Sequence, residues 1–217
     1  MQFLLLPFLA PLVLAGHVQH PFASQDANVT LVPVTLGVMS RCPDAALCES
    51  VFDDVLNKVM SKVELSLTFI GQLNDSDETY GVTCKHGPQE CAGNIHELCM
   101  ISRVPQTKWW PYVICLNFMG KDKIGLGETA KRCAEVVSVD WVESGIEACV
   151  DGLEGSDLLR ESVRNTTALG IEKSCTILIN GVTRCIVDDG RWLQCDYGHT
   201  SADFVAMINK EYAKLNP

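Results

Sequence analysis

The 217-residue chain is short of positive charge, short of aromatics and, beyond its first residues, short of long apolar runs. Lys and Arg number 17 against 27 Asp and Glu, a formal charge of −10. That balance argues against a protein that tracks nucleic-acid phosphates and against attraction to anionic lipid. No glycine-rich phosphate loop and no serine–histidine nucleophile pattern stands out. No stretch after the N-terminal one is long and apolar enough to span a bilayer. What is plentiful is cysteine, with 11 in the chain. A chain of this length buries a core without covalent help, so the cysteines ask for another explanation.

The N-terminus supplies one. Phe3 to Ala15 are almost wholly apolar, and no charged residue precedes Asp26. Such a run is too short to span a membrane and fits a secretory signal peptide over residues 1–16, cut near Ala15 and Gly16. The n-region lacks the usual Lys or Arg, and the competing reading is a buried first helix. Residues 17–30 read as a flexible lead-in, and residues 31–217 as the domain. An oxidising secretory route lets cysteines pair. The sequons at Asn28, Asn74 and Asn165 agree with that route as candidate glycosylation sites. An odd cysteine count leaves at least one thiol free or intermolecular.

Leu31 to Met39 is apolar and β-branched and predicts a buried strand. Pro43 and Asp44 suit the first turn of a helix. Leu47, Cys48, Val51, Phe52, Val55, Leu56, Val59 and Val63 then recur at helical spacing, which predicts a helix over about 43–61. Glu64 to Ile70 predicts a second strand, parallel to the first. Residues 71–170 show helical patterns near 89–102, 108–119, 127–138, 141–149 and 153–168. They read as a helical insert stitched by disulfides. Asn180-Gly181 predicts a two-residue hairpin between Thr176–Ile179 and Val182–Val187, and Ser201 to Leu215 a closing helix. This order predicts an α/β, thioredoxin-like fold carrying a helical insert.

Cys42 stands where the first strand hands over to the first helix. Unpaired N–H groups and the dipole at a helix start favour thiolate, the form that attacks disulfides. The functional reading is an attacking thiol, and the competing one a structural half-cystine. The usual redox motif is Cys-x-x-Cys, but the segment here is Cys42-Pro43-Asp44-Ala45. Cys48, six residues on, lies about 9 Å further along a helix, beyond the roughly 7 Å that a disulfide spans without backbone movement. It shares the apolar stripe and reads as a small core residue, with a resolving role as the alternative.

The segment from Cys84 to Cys99 resembles the signature of the gamma-interferon-inducible lysosomal thiol reductase family, C-Q-H-G-x-x-E-C-x-x-N-x-x-x-x-C. Cys84, His86, Gly87, Glu90, Cys91, Asn94 and Cys99 match, and Lys85 replaces the Gln. Similar features continue over roughly residues 31–187. The resemblance implies a thioredoxin-like fold and reduction of protein disulfides in a secreted, lysosomal or vacuole-like setting. Its partners would be disulfide-containing or unfolded protein substrates and a small-thiol reductant, with no cofactor. The rival is a non-catalytic family member that binds unfolded or cysteine-containing proteins.

Two departures fall at the chemistry. Ala45 replaces the second active-site cysteine, and Cys175 takes the place that the resemblance gives to a proline before the third strand. Cys175 is therefore the proposed partner of Cys42, the alternative being a packed thiol or a disulfide elsewhere. With a two-residue loop at Asn180-Gly181, Cys175 opposes Ile186. Cys185 then points to the other face, which disfavours a 175–185 bridge and leaves Cys185 better placed for Cys195. The cluster Cys84, His86, Cys91 and Cys99 holds zinc-ligand residue types, but its spacing is not a usual zinc spacing and the oxidising route favours disulfides; no metal is expected. His86 and Glu90 read as a structural turn sooner than as an acid–base pair. Trp109, Trp110 and Tyr112 read as core sooner than as a peptide-binding surface.

Overall fold

A computed structural model describes residues 29–217. The leader, nearly all of the lead-in and the Asn28 sequon lie outside the described residues. The first strand, β1 (Val32–Val38), feeds helix α1 (Pro43–Val59). A single 3-10 turn, Met60–Lys62, leads into β2 (Val63–Phe69). The strands are parallel in register, Val32 beside Val63 through Val38 beside Phe69. That is the expected strand–helix–strand unit. The alternate residues Val32, Val34, Leu36 and Val38 of β1 are fully buried.

A two-stranded ribbon follows, β3 (Gln72–Leu73) against β4 (Val82–Thr83). These pairs are too short to leave a period in the sequence. Then come α2 (Pro88–Arg103), α3 (Gln106–Met119), α4 (Gly127–Val136), α5 (Ile146–Asp151) and α6 (Leu153–Ala168). Three disulfides stitch this region: Cys84–Cys91, Cys99–Cys149 between α2 and α5, and Cys115–Cys133 between α3 and α4. Cys84, Cys91 and Cys99 are thus oxidised and offer no thiolate to a metal. Helix α6, which the helical patterns alone put with the insert, returns to the sheet. The Ser162 hydroxyl accepts from the Phe69 N–H at 2.7 Å, and the Thr166 hydroxyl donates to the Phe69 carbonyl at 2.9 Å.

The chain closes with β5 (Thr176–Ile179), β6 (Val182–Asp188), β7 (Arg191–Leu193) and α7 (Ser201–Leu215). The main sheet runs β2-β1-β5-β6-β7, with β5 antiparallel to β1. Helices α1 and α7 pack together, with Phe52 and Phe204 rings 5.0 Å apart. Asn180 and Gly181 form the hairpin turn, both at positive φ (52° and 73°). That conformation favours Asn and Gly in a two-residue turn. Thr200 and Asp203 form a reciprocal cap on α7.

The parity argument for β5 and β6 is corrected. A bulge between Ile177 and Leu178 sets Ile177 opposite Cys185 and Thr176 opposite Ile186, leaving Arg184 as the extra residue. The inserted residue flips the alternation. Cys175 and Cys185 therefore share a face, yet they do not pair. Cys185 bonds to Cys195, as the local reading had it.

Candidate active site

Cys42 is the N-cap residue of α1, with extended backbone (φ −84°, ψ 128°). Its N–H donates to the Met39 carbonyl at 2.9 Å, and its carbonyl accepts the first helical bond from Ala46 at 3.1 Å. Pro43 takes the first helical position, where its missing N–H costs nothing. The Asp44 carboxylate accepts from the N–H groups of Asp189 and Gly190 at 3.0 and 2.8 Å. The start of α1 is thereby fastened to the β6–β7 turn. Ten of the 11 cysteines are paired, and Cys42 is the free one. Its residue is 7% exposed.

The thiol faces the loop before β5. Cys42 Sγ lies 3.7 Å from the Ser174 carbonyl oxygen. The Ser174–Cys175 peptide is cis. The Ser174 hydroxyl accepts from the Met39 N–H at 3.0 Å, tying this loop to the end of β1. Cys175 itself is not joined to Cys42, which corrects the expected pairing. It is bonded to Cys48, and both residues have no exposed surface. The reading of Cys48 as a plain core residue is corrected with it. A half-cystine and a core residue occupy the same apolar stripe, so periodicity does not separate them.

The residues between β1 and α1 are held by the Cys84–Cys99 segment. Asn94 Oδ1 accepts from the Ser40 N–H at 3.0 Å, and the Ser40 hydroxyl donates to the Glu90 carbonyl at 3.3 Å. Both partners lie on α2. A Cβ on Gly93 would stand 2.6 Å from Ser40 Oγ and 2.7 Å from the Ile124 side chain, so glycine permits this approach. Glu90, fully buried, accepts from the His86 N–H at 3.1 Å and pairs with its ring Nδ1. Gly87 follows at φ 86° as the N-cap of α2. His86 and Glu90 thus build a turn. Arg41 donates to the Lys121 carbonyl at 2.8 Å and the His86 carbonyl at 3.3 Å, and lies 3.6 Å from Asp122. The signature therefore acts as a bracket that fixes the loop carrying the thiol. The roles of Ser40, Arg41 and Ser174 leave no signal in the sequence; Asn94 did, as a fixed signature position.

Beneath the site lie groups that sequence reasoning missed. Glu49 on α1 is buried and accepts from Asn117 Nδ2 of α3 at 2.6 Å. Burial pushes its carboxyl up to about 7, against the lowering pull of that bond. Burial, then the like charges of Glu49 and Glu90, also raise Glu97. Trp109, Trp110 and Tyr112 are core, with Trp110 donating to Asp53 at 3.0 Å. Asn74 is half-buried, its amide nitrogen on Thr83 Oγ1 at 3.0 Å, whereas Asn165 is exposed on α6.

Comparison with known proteins agrees with this architecture. The family model "Gamma interferon inducible lysosomal thiol reductase (GILT)" matches residues 33–137. The chain is similar to this family over that stretch. "GILT-like protein 1" of Drosophila melanogaster is 29% identical over 154 residues, covering 64% of this chain and 60% of the relative. A "Gamma-interferon-inducible lysosomal thiol reductase-like protein" of Anopheles gambiae is 32% identical over 144 residues, covering 60% of this chain and 58% of the relative. The chain thus spans less than two thirds of these GILT relatives' length. Among solved structures, oxidised BdbD from Bacillus subtilis superposes with a TM-score of 0.59 at 13% identity, covering 84% of this chain and 88% of that one. The fold is thioredoxin-like.

Proposed function

We propose that this GILT-like chain is a thiol–disulfide oxidoreductase that reduces protein disulfides, with Cys42 as nucleophile. The observation that carries the reading is the free thiol of Cys42 at the N-cap of α1, beside the Ser174 carbonyl. Cys42 thiolate attacks one sulfur of a substrate disulfide. That S–S bond breaks, a Cys42–substrate disulfide forms, and the leaving sulfur departs as a thiolate that takes up a proton. A small-molecule thiol then attacks Cys42 Sγ and frees the second substrate sulfur. A second small thiol releases Cys42 and leaves as the small disulfide. The substrates are disulfide-containing or unfolded proteins, and the setting is the secretory route, ending outside the cell or in a lysosome- or vacuole-like compartment.

The test is reduction of a denatured, disulfide-bonded protein at about pH 5, where ordinary thiols are mostly protonated, with a small thiol present. Wild type is expected to accelerate the reaction, and Cys42→Ser to fall to the rate without enzyme. A wild-type rate equal to that control overturns the enzymatic reading. One observation favours the rival, a non-catalytic binder of unfolded or cysteine-containing proteins: Ala45 is buried where the second cysteine of Cys-x-x-Cys would stand. The binder predicts capture of unfolded protein that is unchanged in Cys42→Ser.

A further inference from the structure

Helix α1 and the loop before β5 carry three cysteines between them, Cys42, Cys48 and Cys175. Helix α1 carries Cys42 at its start and Cys48 in its second turn. The loop carries Ser174, whose carbonyl lies 3.7 Å from Cys42 Sγ, and the adjoining Cys175, bonded to Cys48. The other four disulfides join residues of the insert or of the C-terminal hairpin region, and none includes a residue of α1. Cys48 and Cys175 are fully buried, so dissolved thiols do not reach their bond in the closed structure. Cys42 is the one free thiol in the chain, and it sits against the residue next to Cys175.

The spacing along α1 adds a second argument. Ala45 and Cys48 stand three residues apart and share a helix face. Cys48 therefore places a sulfur about 4.5 Å deeper along the axis than a Cys-x-x-Cys motif would. From that depth it does not reach Cys42 directly. Cys175 comes from a different element and bonds to Cys48 while its neighbour contacts Cys42. It is the one sulfur placed to pass between them.

We propose that the Cys48–Cys175 disulfide is the second redox centre of the site, with Cys175 shuttling between Cys42 and Cys48. The proposal rests on Cys42 being the nucleophile. In the working direction the enzyme starts with all three as thiols. Cys42 attacks the substrate disulfide and forms the mixed disulfide. Cys175 thiolate attacks Cys42 Sγ, making a Cys42–Cys175 bond and expelling the second substrate sulfur. Cys48 thiolate attacks Cys175 Sγ, restoring Cys42 as a thiol and leaving Cys48–Cys175 oxidised. Two electrons and two protons pass to the substrate. The end state is the observed pattern, Cys42 free and Cys48–Cys175 bonded. Recharging runs backwards: Cys42 attacks Cys175, one small-molecule thiol opens Cys42–Cys175 as a mixed disulfide on Cys42, and a second releases it as the small disulfide.

The first test opens the buried bond. Wild type and Cys42→Ser, each with its five disulfides, are exposed to reduced glutathione at about pH 7.5. Newly freed cysteines are then alkylated and mapped. Cys48 and Cys175 are expected to be labelled in wild type, and at least about 100-fold more slowly in Cys42→Ser, where the bond must wait for local opening. Equal rates overturn the relay. The second test uses Cys48→Ala, which leaves Cys42 and Cys175 as thiols, with glutathione disulfide as probe. The relay predicts an internal Cys42–Cys175 bond, no adduct, and two glutathiones released per chain. A stable glutathione adduct on Cys42 overturns the relay and leaves the single-thiol reductase standing. Cys175→Ala lacks the same disulfide and is expected to keep that adduct. Absence of any reaction at Cys42 in folded wild type and in Cys175→Ala overturns the relay and the reductase reading together.

Discussion

Replacing Glu49 by Gln is expected to change how stability depends on pH, and the size of the change follows from burial. Glu49 is buried on α1, and its carboxyl is raised from 4.5 to about 7, chiefly by loss of solvent. Between those values the folded chain holds a proton that the unfolded chain has released. Stability that is full below about pH 4.5 is therefore lost as the pH climbs towards 7. At about 1.4 kcal/mol per pH unit, the loss is on the order of 3 kcal/mol. His96 works in the opposite sense. It is buried, and loss of solvent lowers its pKa from 6.5 to about 4 despite the nearby Asp151. There the unfolded chain binds the extra proton, so stability falls as the pH drops from 6.5 to 4. In wild type the two slopes oppose each other between about pH 4.5 and 6.5. Glu97, also raised, adds to the Glu49 side. Gln at position 49 keeps an oxygen for Asn117 and cannot ionise. Urea unfolding at steps from pH 4.5 to 7 tests this with disulfides intact. The stability difference between wild type and Glu49→Gln is expected to move by about 3 kcal/mol across that range, a relative midpoint shift of about 1 to 2 M urea. Stability curves that stay parallel at every pH would refute the assignment of a buried, proton-holding carboxyl.

Three further outcomes are expected. Asn94→Ala leaves the Ser40 N–H without its acceptor. It should cost about 1–3 kcal/mol in urea unfolding and slow disulfide reduction, because the thiol loop loses its anchor. Removing Cys99–Cys149 by double substitution to Ala opens a link across 50 residues. It should lower stability by about 4 kcal/mol, read by calorimetry. Protein secreted from eukaryotic cells should start near residue 16 or 17 and carry glycan on at least one of Asn28, Asn74 and Asn165, with Asn165 the freest of the described pair. An unglycosylated chain that keeps Met1 in intact-mass analysis would overturn the secretory reading.

The elements nearest the thiol were legible because each carries a local pattern. β1 is an apolar, β-branched run, β2 alternates, α1 has Pro43 at its start and a stripe behind it, and the hairpin has Asn180-Gly181. The closing helix matches its pattern from Ser201 to Leu215. β7 was not legible, since three residues, Arg191 to Leu193, offer no period and sit at the sheet edge. The same holds for β3 and β4, with two residues each. Within the insert, helix positions followed from periodicity, but the packing of α6 on β2 did not. Its contacts run through Ser162 and Thr166, polar residues that a hydrophobic pattern passes over.

The disulfide pattern divides along the same line. Cys185–Cys195 spans ten residues and was accessible to local reasoning, although the parity argument behind it met a bulge. Cys48–Cys175 spans 127 residues and depends on how a helix sits over a loop from the other end of the domain. Neither residue's neighbours in the chain encode that meeting. The resemblance marked position 175 as lying against the active-site thiol, and the structure puts its neighbour Ser174 there. It could not say that a sulfur at 175 would also lie within bonding reach of α1's second turn. Ala45 and Cys48 were read as separate facts, a missing cysteine and a core cysteine. Placed on one helix face with Cys175 beside them, they become a single displacement of the second sulfur. That displacement moves the partner sulfur from one buried position, Ala45, to another about a turn further from Cys42, and under the proposed relay it makes passage through Cys42 the condition for chemistry there.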